Sequence, residues 1–503
     1  MKNLMKRFVL AALVIYASFA PPVQGQDATF RDLLGPLFNP SQATPPLPNP
    51  SARADSIHRW NEIAINASGL DHTPVPPGDP RIFGEQLGPG RSSRAMAIVH
   101  IAIFDAVNAV DHRYNSYTGV QSFHRPISLV AAVAQAARDT LVALYPSQTN
   151  AFNARLAEDL ASVHNANQKA NGIDLGHRVA AAILAMRVGD HSEVPEPRIG
   201  IDYFPSDQPG HWRQDPISLI PIALGAHWGE CLPFVLQNTH EFRCPAPPAM
   251  TSDAYTAAYN EVKNLGGDGV NTPTQRTPEQ TFIGTYWAYD ATPSLCAPPR
   301  LYNQIVLQIA DQRTRLQPIE LARLLALVNV SMAEAGMCAW ESKYLFDLWR
   351  PITGIRESDP GTGPTGLGDG NPNTEGDINF HPLGAPASNL QGPNFTPPFP
   401  AYPSGHATFG GAIFQTLRRF YGTDQVGFTF VSDEFNGVTR DNAGNVRPYI
   451  PRSFSNLSQA EDENGQSRIY LGIHWSFDKT EGIAQGRSVA NYVFDHAFRP
   501  APH

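Results

Sequence analysis

Ser467-Arg468-Ile469-Tyr470-Leu471-Gly472-Ile473-His474-Trp475-Ser476-Phe477-Asp478 is the stretch on which the reading of this chain turns. It carries an arginine, a histidine and an aspartate among apolar side chains (Ile469, Leu471, Ile473, Phe477) that pack inward. Two stretches upstream complete an anion-binding chemistry. Lys343-Tyr344-Leu345-Phe346-Asp347-Leu348-Trp349-Arg350-Pro351 adds two cations. Pro403-Ser404-Gly405-His406 adds a hydroxyl, a backbone N–H free of side-chain hindrance and a second histidine. Lys343, Arg350, Arg468, Ser404 and Gly405 form the donor set that a tetrahedral anion such as phosphate or vanadate requires. His406 and His474 are then left for chemistry.

Lys343 and Arg350 are seven residues apart, two helical turns, so the spacing predicts that both project from one face of a helix terminated by Pro351. Arg468, His474 and Asp478 are predicted to line a second helix, with Asp478 either supporting that helix or holding the histidine ring. Ser404 and Gly405 lead into a helix over residues 407–421, whose N-terminal amides face the anion.

The rest of the chain reads as helical. Its 503 residues, 42% of them hydrophobic, suffice for a large core and more than one helical bundle. Residues 26–90 are rich in Pro, Asn and Ser and read as an arm around one helical piece near 56–67. The run 94–110 is apolar on most faces and reads as a buried helix, with Ser92 and Ser93 as capping candidates. Further helical patterns cover 127–145, 147–165, 170–188, 299–314, 318–334 and 336–349. Thr277-Pro278-Glu279-Gln280 combines a capping residue, proline at the first position and Gln three residues on, predicting a helix that carries 282–290. A Gly/Pro-rich loop over 354–400 delivers the Pro403 stretch. Strand patterns are scarce, with short candidates near 426–432. The expected fold class is all-α: two packed helical bundles with long loops, a first over 91–250 and a second over 251–503 that carries the site.

At the N-terminus Lys2, Lys6 and Arg7 precede an apolar run over 8–20 and small residues before position 26, the pattern of a secretory signal peptide over 1–25. No later segment reads as an uninterrupted bilayer-crossing run, so a secreted or periplasmic protein without a membrane partner is expected. Taking away the three positive charges of the signal moves the formal charge from −9 to −12. Such an acidic protein is a poor partner for nucleic acid or anionic membranes. Cys231 and Cys244 lie in loop-like sequence and could close a short disulfide, whereas Cys338 reads as a buried thiol; no cysteine spacing suggests zinc. His100 and His177 read as core or interhelical residues, and His381 as a loop residue before the site.

Taken together, the three stretches resemble the signature K-x6-RP, PSGH, SR-x3-G-H-x3-D shared by the vanadium-dependent haloperoxidases and the type 2 acid phosphatases, with Ile473 inserted between Gly472 and His474. Every position is filled, in order. In the phosphatase branch the resemblance makes His474 a nucleophile that becomes phosphohistidine, with His406 protonating the leaving alcohol. In the haloperoxidase branch it makes His474 the ligand of vanadium(V). Vanadate is then held by Lys343, Arg350, Ser404, Gly405 and Arg468, with His406 as acid and base while hydrogen peroxide oxidises halide to hypohalous acid.

Phe399 to Gly411, Trp287-Ala288-Tyr289-Asp290 and Pro298 to Gln304 are similar to the chloroperoxidase type of vanadium enzyme, over most of residues 280–480. Residues 26–250 resemble it only loosely. The likeness implies that Trp340 and Phe399 wall the halide site, and that Asp290 supports the cationic side next to the catalytic Lys343. An aromatic wall suits a partly desolvated, more nucleophilic halide. The partners so implied are hydrogen peroxide, halide and small organic molecules halogenated by a diffusible acid that needs no dedicated pocket. The rival readings are a secreted acid phosphatase and a helical scaffold with a relict site; the intact donor set argues against the scaffold.

Overall fold

Prolines in the first turn start several helices, because a residue without an N–H loses nothing where no intrahelical acceptor exists. Pro89, Pro278, Pro298, Pro318 and Pro351 all stand there. The computed structural model describes residues 30–40, 47–50, 55–122, 126–313 and 316–502. The expected signal peptide, residues 1–25, lies outside the described residues.

In chain order the helices are α1 (Phe30–Leu34), α2 (Ser56–Asp71), α3 (Gly88–Asp111), α4 (Leu129–Leu144), α5 (Thr149–Ala161), α6 (Ala166–Met186) and α7 (Asp253–Leu265). They continue as α8 (Pro278–Tyr286), α9 (Pro298–Gln312), α10 (Pro318–Phe346), α11 (Pro351–Arg356), α12 (Gly405–Tyr421), α13 (Leu457–Tyr470) and α14 (Ser476–His496). Two small antiparallel sheets accompany them: β1 (Asn39–Pro40) with β2 (Leu390–Gln391), and the hairpin of β3 (Phe428–Asn436) with β4 (Tyr449–Phe454). The fold class is all-α, as the sequence suggested, with β3 growing from the short candidate segment near 426–432.

The two helices expected over 318–334 and 336–349 are one. Gly336 does not break α10; it admits a neighbour, since a Cβ there would stand 3.1 Å from the Phe409 ring. This helix packs against α3 on one side and against α12 and α14 on the other, so one buried apolar cluster runs through the molecule. The expectation that no later segment could span a bilayer is corrected: α3 and α10 are long and apolar enough to do so. Both are buried inside the protein, where a central helix is apolar on every face. Some of their polar residues find partners within: Oε1 of Glu334 on α10 accepts the N–H groups of Phe234, Val235 and Leu236.

Ser92 and Ser93 do not cap α3, which begins at Gly88; their hydroxyls bond back to Gly88 O at 2.6 Å and Gly90 O at 2.8 Å. The capping box at Thr277 is present, but α8 stops at Tyr286, short of Asp290. The segment that follows is bent tightly: Tyr289, Ala291, Ser294 and Cys296, none of them glycine, all have φ between 46° and 67°. All four cysteines are free and buried, so Cys231 and Cys244 form no bridge. Burial pushes the Cys231 and Cys244 thiols up to about 12 and Cys296 to about 11. His100 is buried in α3 with neither ring nitrogen bonded, so it is not a satisfied core histidine, whereas His177, exposed on α6, bonds Asp139 of α4 and is the interhelical residue expected.

Candidate active site

Lys343 lies in the last turn of α10, and Asp347 (φ 49°) ends that helix in the left-handed conformation, its N–H bonding back to Lys343 O. The chain therefore turns before Arg350. The expectation of one helix face for both cations is corrected: Arg350 caps the start of α11, and Pro351 opens a helix rather than closing one. The second expected helix is also broken. α13 ends at Tyr470, and Gly472 (φ 73°) turns the chain where a Cβ would lie 2.5 Å from Gly266 O. His474 thus sits in the link between α13 and α14, while Arg468 occupies the last turn of α13. Beneath the link, Trp475 stacks on Tyr259 (centroids 6.1 Å, 15°) and donates to Trp349 O at 3.0 Å.

Both roles left open for Asp478 are filled by one oxygen. Its Oδ2 accepts Trp475 N–H (3.0 Å) at the start of α14 and lies 2.8 Å from His474 Nδ1. A carboxylate there fixes the tautomer: Nδ1 carries the proton, and the Nε2 lone pair faces Arg350 Nη1 at 2.9 Å. Burial, then the cations Arg350 and Lys343, hold the His474 imidazole well below its usual range. Burial also pushes Asp478 up to about 7. Of the two opposed shifts, a neutral imidazole on an ionised carboxylate is the arrangement that the surrounding cations favour.

Arg350 spends Nε on Phe399 O (2.8 Å) and Nη1 on Ile473 O (2.9 Å) and His474. Arg468 spends both Nη groups on Asp290, at 3.1 and 2.6 Å. Each guanidinium keeps one buried donor with no partner: Nη2 of Arg350 and Nε of Arg468. Leaving a buried donor unmet costs about 1–3 kcal/mol, and more for a charged one. Lys343, fully buried, donates to Pro400 O (2.9 Å) and Ala401 O (3.0 Å), keeping its third N–H. Three cations face two carboxylates, Asp290 and Asp478, so the centre is positive and burial depresses Lys343 strongly and Arg350 to about 9. Such a centre fits a bound anion.

Ser404 caps α12, its hydroxyl accepting from Ala407 N–H and keeping its proton to give, and Gly405 supplies the first helical N–H. His406, one residue on, donates Nε2–H to Ala288 O, so Nδ1 is its free basic nitrogen. Burial, then Arg468, keeps this ring well below the usual histidine range. The aromatic pair is also present: Trp340 and Phe399 have centroids 4.9 Å apart, with Lys343 Nζ 5.6 and 5.0 Å from the two rings. The residues predicted for the anion site, its two histidines and the aromatic pair converge here.

Sequence reasoning missed the backbone groups that aim these side chains. Ala288 O orients His406, and Leu224 O accepts Trp340 Nε1–H at 3.1 Å. Carbonyls carry no residue signature. Gly225 does: a Cβ there would stand 2.3 Å from the Trp340 indole.

Residues 323–501 match the model of the VCPO second helical-bundle domain. The vanadium chloroperoxidase of Curvularia inaequalis is 32% identical over 500 residues, which cover 83% of this chain and 78% of that protein. The chain belongs to the vanadium-dependent haloperoxidases. Solved structures share the fold of this haloperoxidase. A bacterial vanadium-dependent iodoperoxidase has a TM-score of 0.68 at 22% identity, covering 88% of this chain and 97% of that one. A holo-type bacterial vanadium-dependent chloroperoxidase has 0.60 at 15% identity, covering 81% and 92%. Of the two branches that the signature allows, membership of the haloperoxidases selects the peroxidase.

Proposed function

We propose that this haloperoxidase uses hydrogen peroxide to oxidise halide to hypohalous acid at a vanadate held by Lys343, Arg350, Ser404, Gly405 and Arg468 and ligated by His474 Nε2. The observation that carries the reading is the pair of buried, unpartnered donors on Arg350 and Arg468, next to a neutral imidazole whose Nε2 lone pair faces the same centre. Bound vanadate supplies a Lewis-acidic centre to which peroxide binds.

The remaining work falls to the chain. Lys343 lends its third N–H to negative charge in the centre, and Asp290 keeps Arg468 aimed by a two-oxygen clasp. His406, neutral at working pH, takes up a proton at Nδ1 and returns it, as an acid–base group must. Trp340 and Phe399 exclude water on the halide side, a setting that suits chloride and bromide. Export belongs to the same proposal, supported by the signal-like sequence over 1–25, as does the division into bundles over 91–250 and 251–503.

Dialysed, purified protein should halogenate a phenolic dye only after orthovanadate, peroxide and a halide are restored. No turnover, together with phosphomonoester hydrolysis inhibited by vanadate, would move the chain to the phosphatase reading, in which His474 attacks phosphorus.

A further inference from the structure

Between α9 and the hairpin of β3 and β4 runs a groove of about 570 Å³, and none of the anion-binding residues lines it. That volume falls within the roughly 300–1,000 Å³ of small-molecule sites.

One wall is a ladder along a single face of α9. Arg300, Gln304, Gln308 and Gln312 stand at successive four-residue steps, which places them one above another on the same side of the helix. Three of these rungs are closed. Arg300 gives Nε to Asp433 (2.8 Å) and Nη1 to Ile65 O and Asn66 Oδ1 (2.9 Å each). Gln304 donates to Asp433 Oδ2 at 3.0 Å and accepts Tyr289 O–H at 3.1 Å. Gln312 donates to Thr429 O (2.9 Å) and accepts Thr429 N–H (3.0 Å), so its amide bonds β3 as a neighbouring strand would. These bonds set α9 and β3 running in opposite directions, and Gln308 therefore falls across from Val431. Gln308 is half-buried, and its amide has no protein partner among the described residues. The groove is the gap left at that rung.

The other walls narrow the chemistry of what fills it. Leu307 and Phe430 are buried and apolar, and Tyr449, 65% exposed, offers a flat ring face. Glu62 and Asp311 add carboxylates, while the cations are already matched: Arg300 by Asp433, and His58 by Asp55 (2.7 Å) and Asp311 (3.0 Å). An anion is therefore disfavoured. An amide offers a donor and an acceptor together, a carboxylate offers acceptors, and a ring face offers an apolar platform. A sugar complements all three, with hydroxyls that both give and accept and a C–H face that stacks.

We propose that this groove binds a neutral saccharide, with Gln308 bonding its hydroxyls and Tyr449 stacking on one of its rings. The site is separate from the anion-binding centre and does not depend on the haloperoxidase reading.

The test is calorimetric titration of the purified protein with cellotetraose, maltotetraose and xylotetraose in turn, and with choline as a cationic rival. At least one tetrasaccharide should bind with a Kd below about 1 mM. Gln308→Ala and Tyr449→Ala should each weaken that binding at least about fivefold, the loss of one hydrogen bond or one stacked ring; should either variant not fold, the other carries the test. A weaker Kd for all three saccharides overturns the proposal, as does unchanged affinity in a folded variant. Binding of choline alone also overturns it, because the carboxylates would then serve a cation.

Discussion

Two pairs of buried arginines show how differently the same side chain is used in the two halves of the molecule. In the first half Arg94 and Arg187 (8% and 5% exposed) converge on Asp190, with Nε–Oδ2 distances of 2.7 and 2.9 Å, and their other bonded nitrogens meet backbone carbonyls. In the second half Arg350 and Arg468 (1% exposed each) retain one donor apiece with no acceptor. The first cluster leaves none of its buried nitrogens without an acceptor. The second leaves positive charge unmet, which costs stability until an anion arrives.

If that contrast holds, substitutions in the two regions should separate cofactor retention from stability. The largest effect is expected for His474→Ala, which should lose vanadium on dialysis; stoichiometric metal in the dialysed variant would break the ligand assignment. His406→Ala should keep its vanadium while halide oxidation falls about 10²–10⁴-fold, the usual contribution of an acid–base group. Asp190→Ala should instead cost stability and spare the site. It strands two buried guanidinium groups and should cost about 3–5 kcal/mol in denaturant unfolding, with vanadium per folded molecule unchanged.

The smallest effect sharpens the contrast through pH. Burial raises the Glu334 carboxyl from about 4.5 to about 7. The unfolded chain therefore releases that proton first, so between about pH 4.5 and 7 the folded state binds more protons and stability falls as pH rises. Glu334→Gln cannot titrate, and its melting temperature should fall less between pH 5 and pH 7 than that of the unmodified protein.

The donor set was legible because charged and hydroxyl side chains announce themselves in a sequence, and the helix start at Thr277 because a capping box does. The path of the chain between donors was not. Seven residues from Lys343 to Arg350 look like two helical turns, yet Asp347 takes a left-handed conformation that nothing in its residue type demands. Gly472 was the one visible sign that Arg468 and His474 do not share a helix. The tight segment from Tyr289 to Cys296 is equally silent: it carries Asp290 to Arg468 through left-handed residues that only the surrounding packing can enforce. The stretch over 26–90 read as an arm with little regular structure, but Phe38 is 1% exposed and lines the cleft over the catalytic centre, because two residues of strand pairing suffice to bring it inward.

The four buried thiols bear on durability. An enzyme that makes a strong oxidant is the first molecule exposed to it, and thiolates are among the most easily oxidised groups in a protein. Here Cys231, Cys244, Cys296 and Cys338 are all enclosed, and each is pushed toward its unreactive protonated form. Even Cys296, adjacent to Ala297 on the cleft wall, is 0% exposed. With all four thiols enclosed, an oxidant could reach them only after the fold had opened.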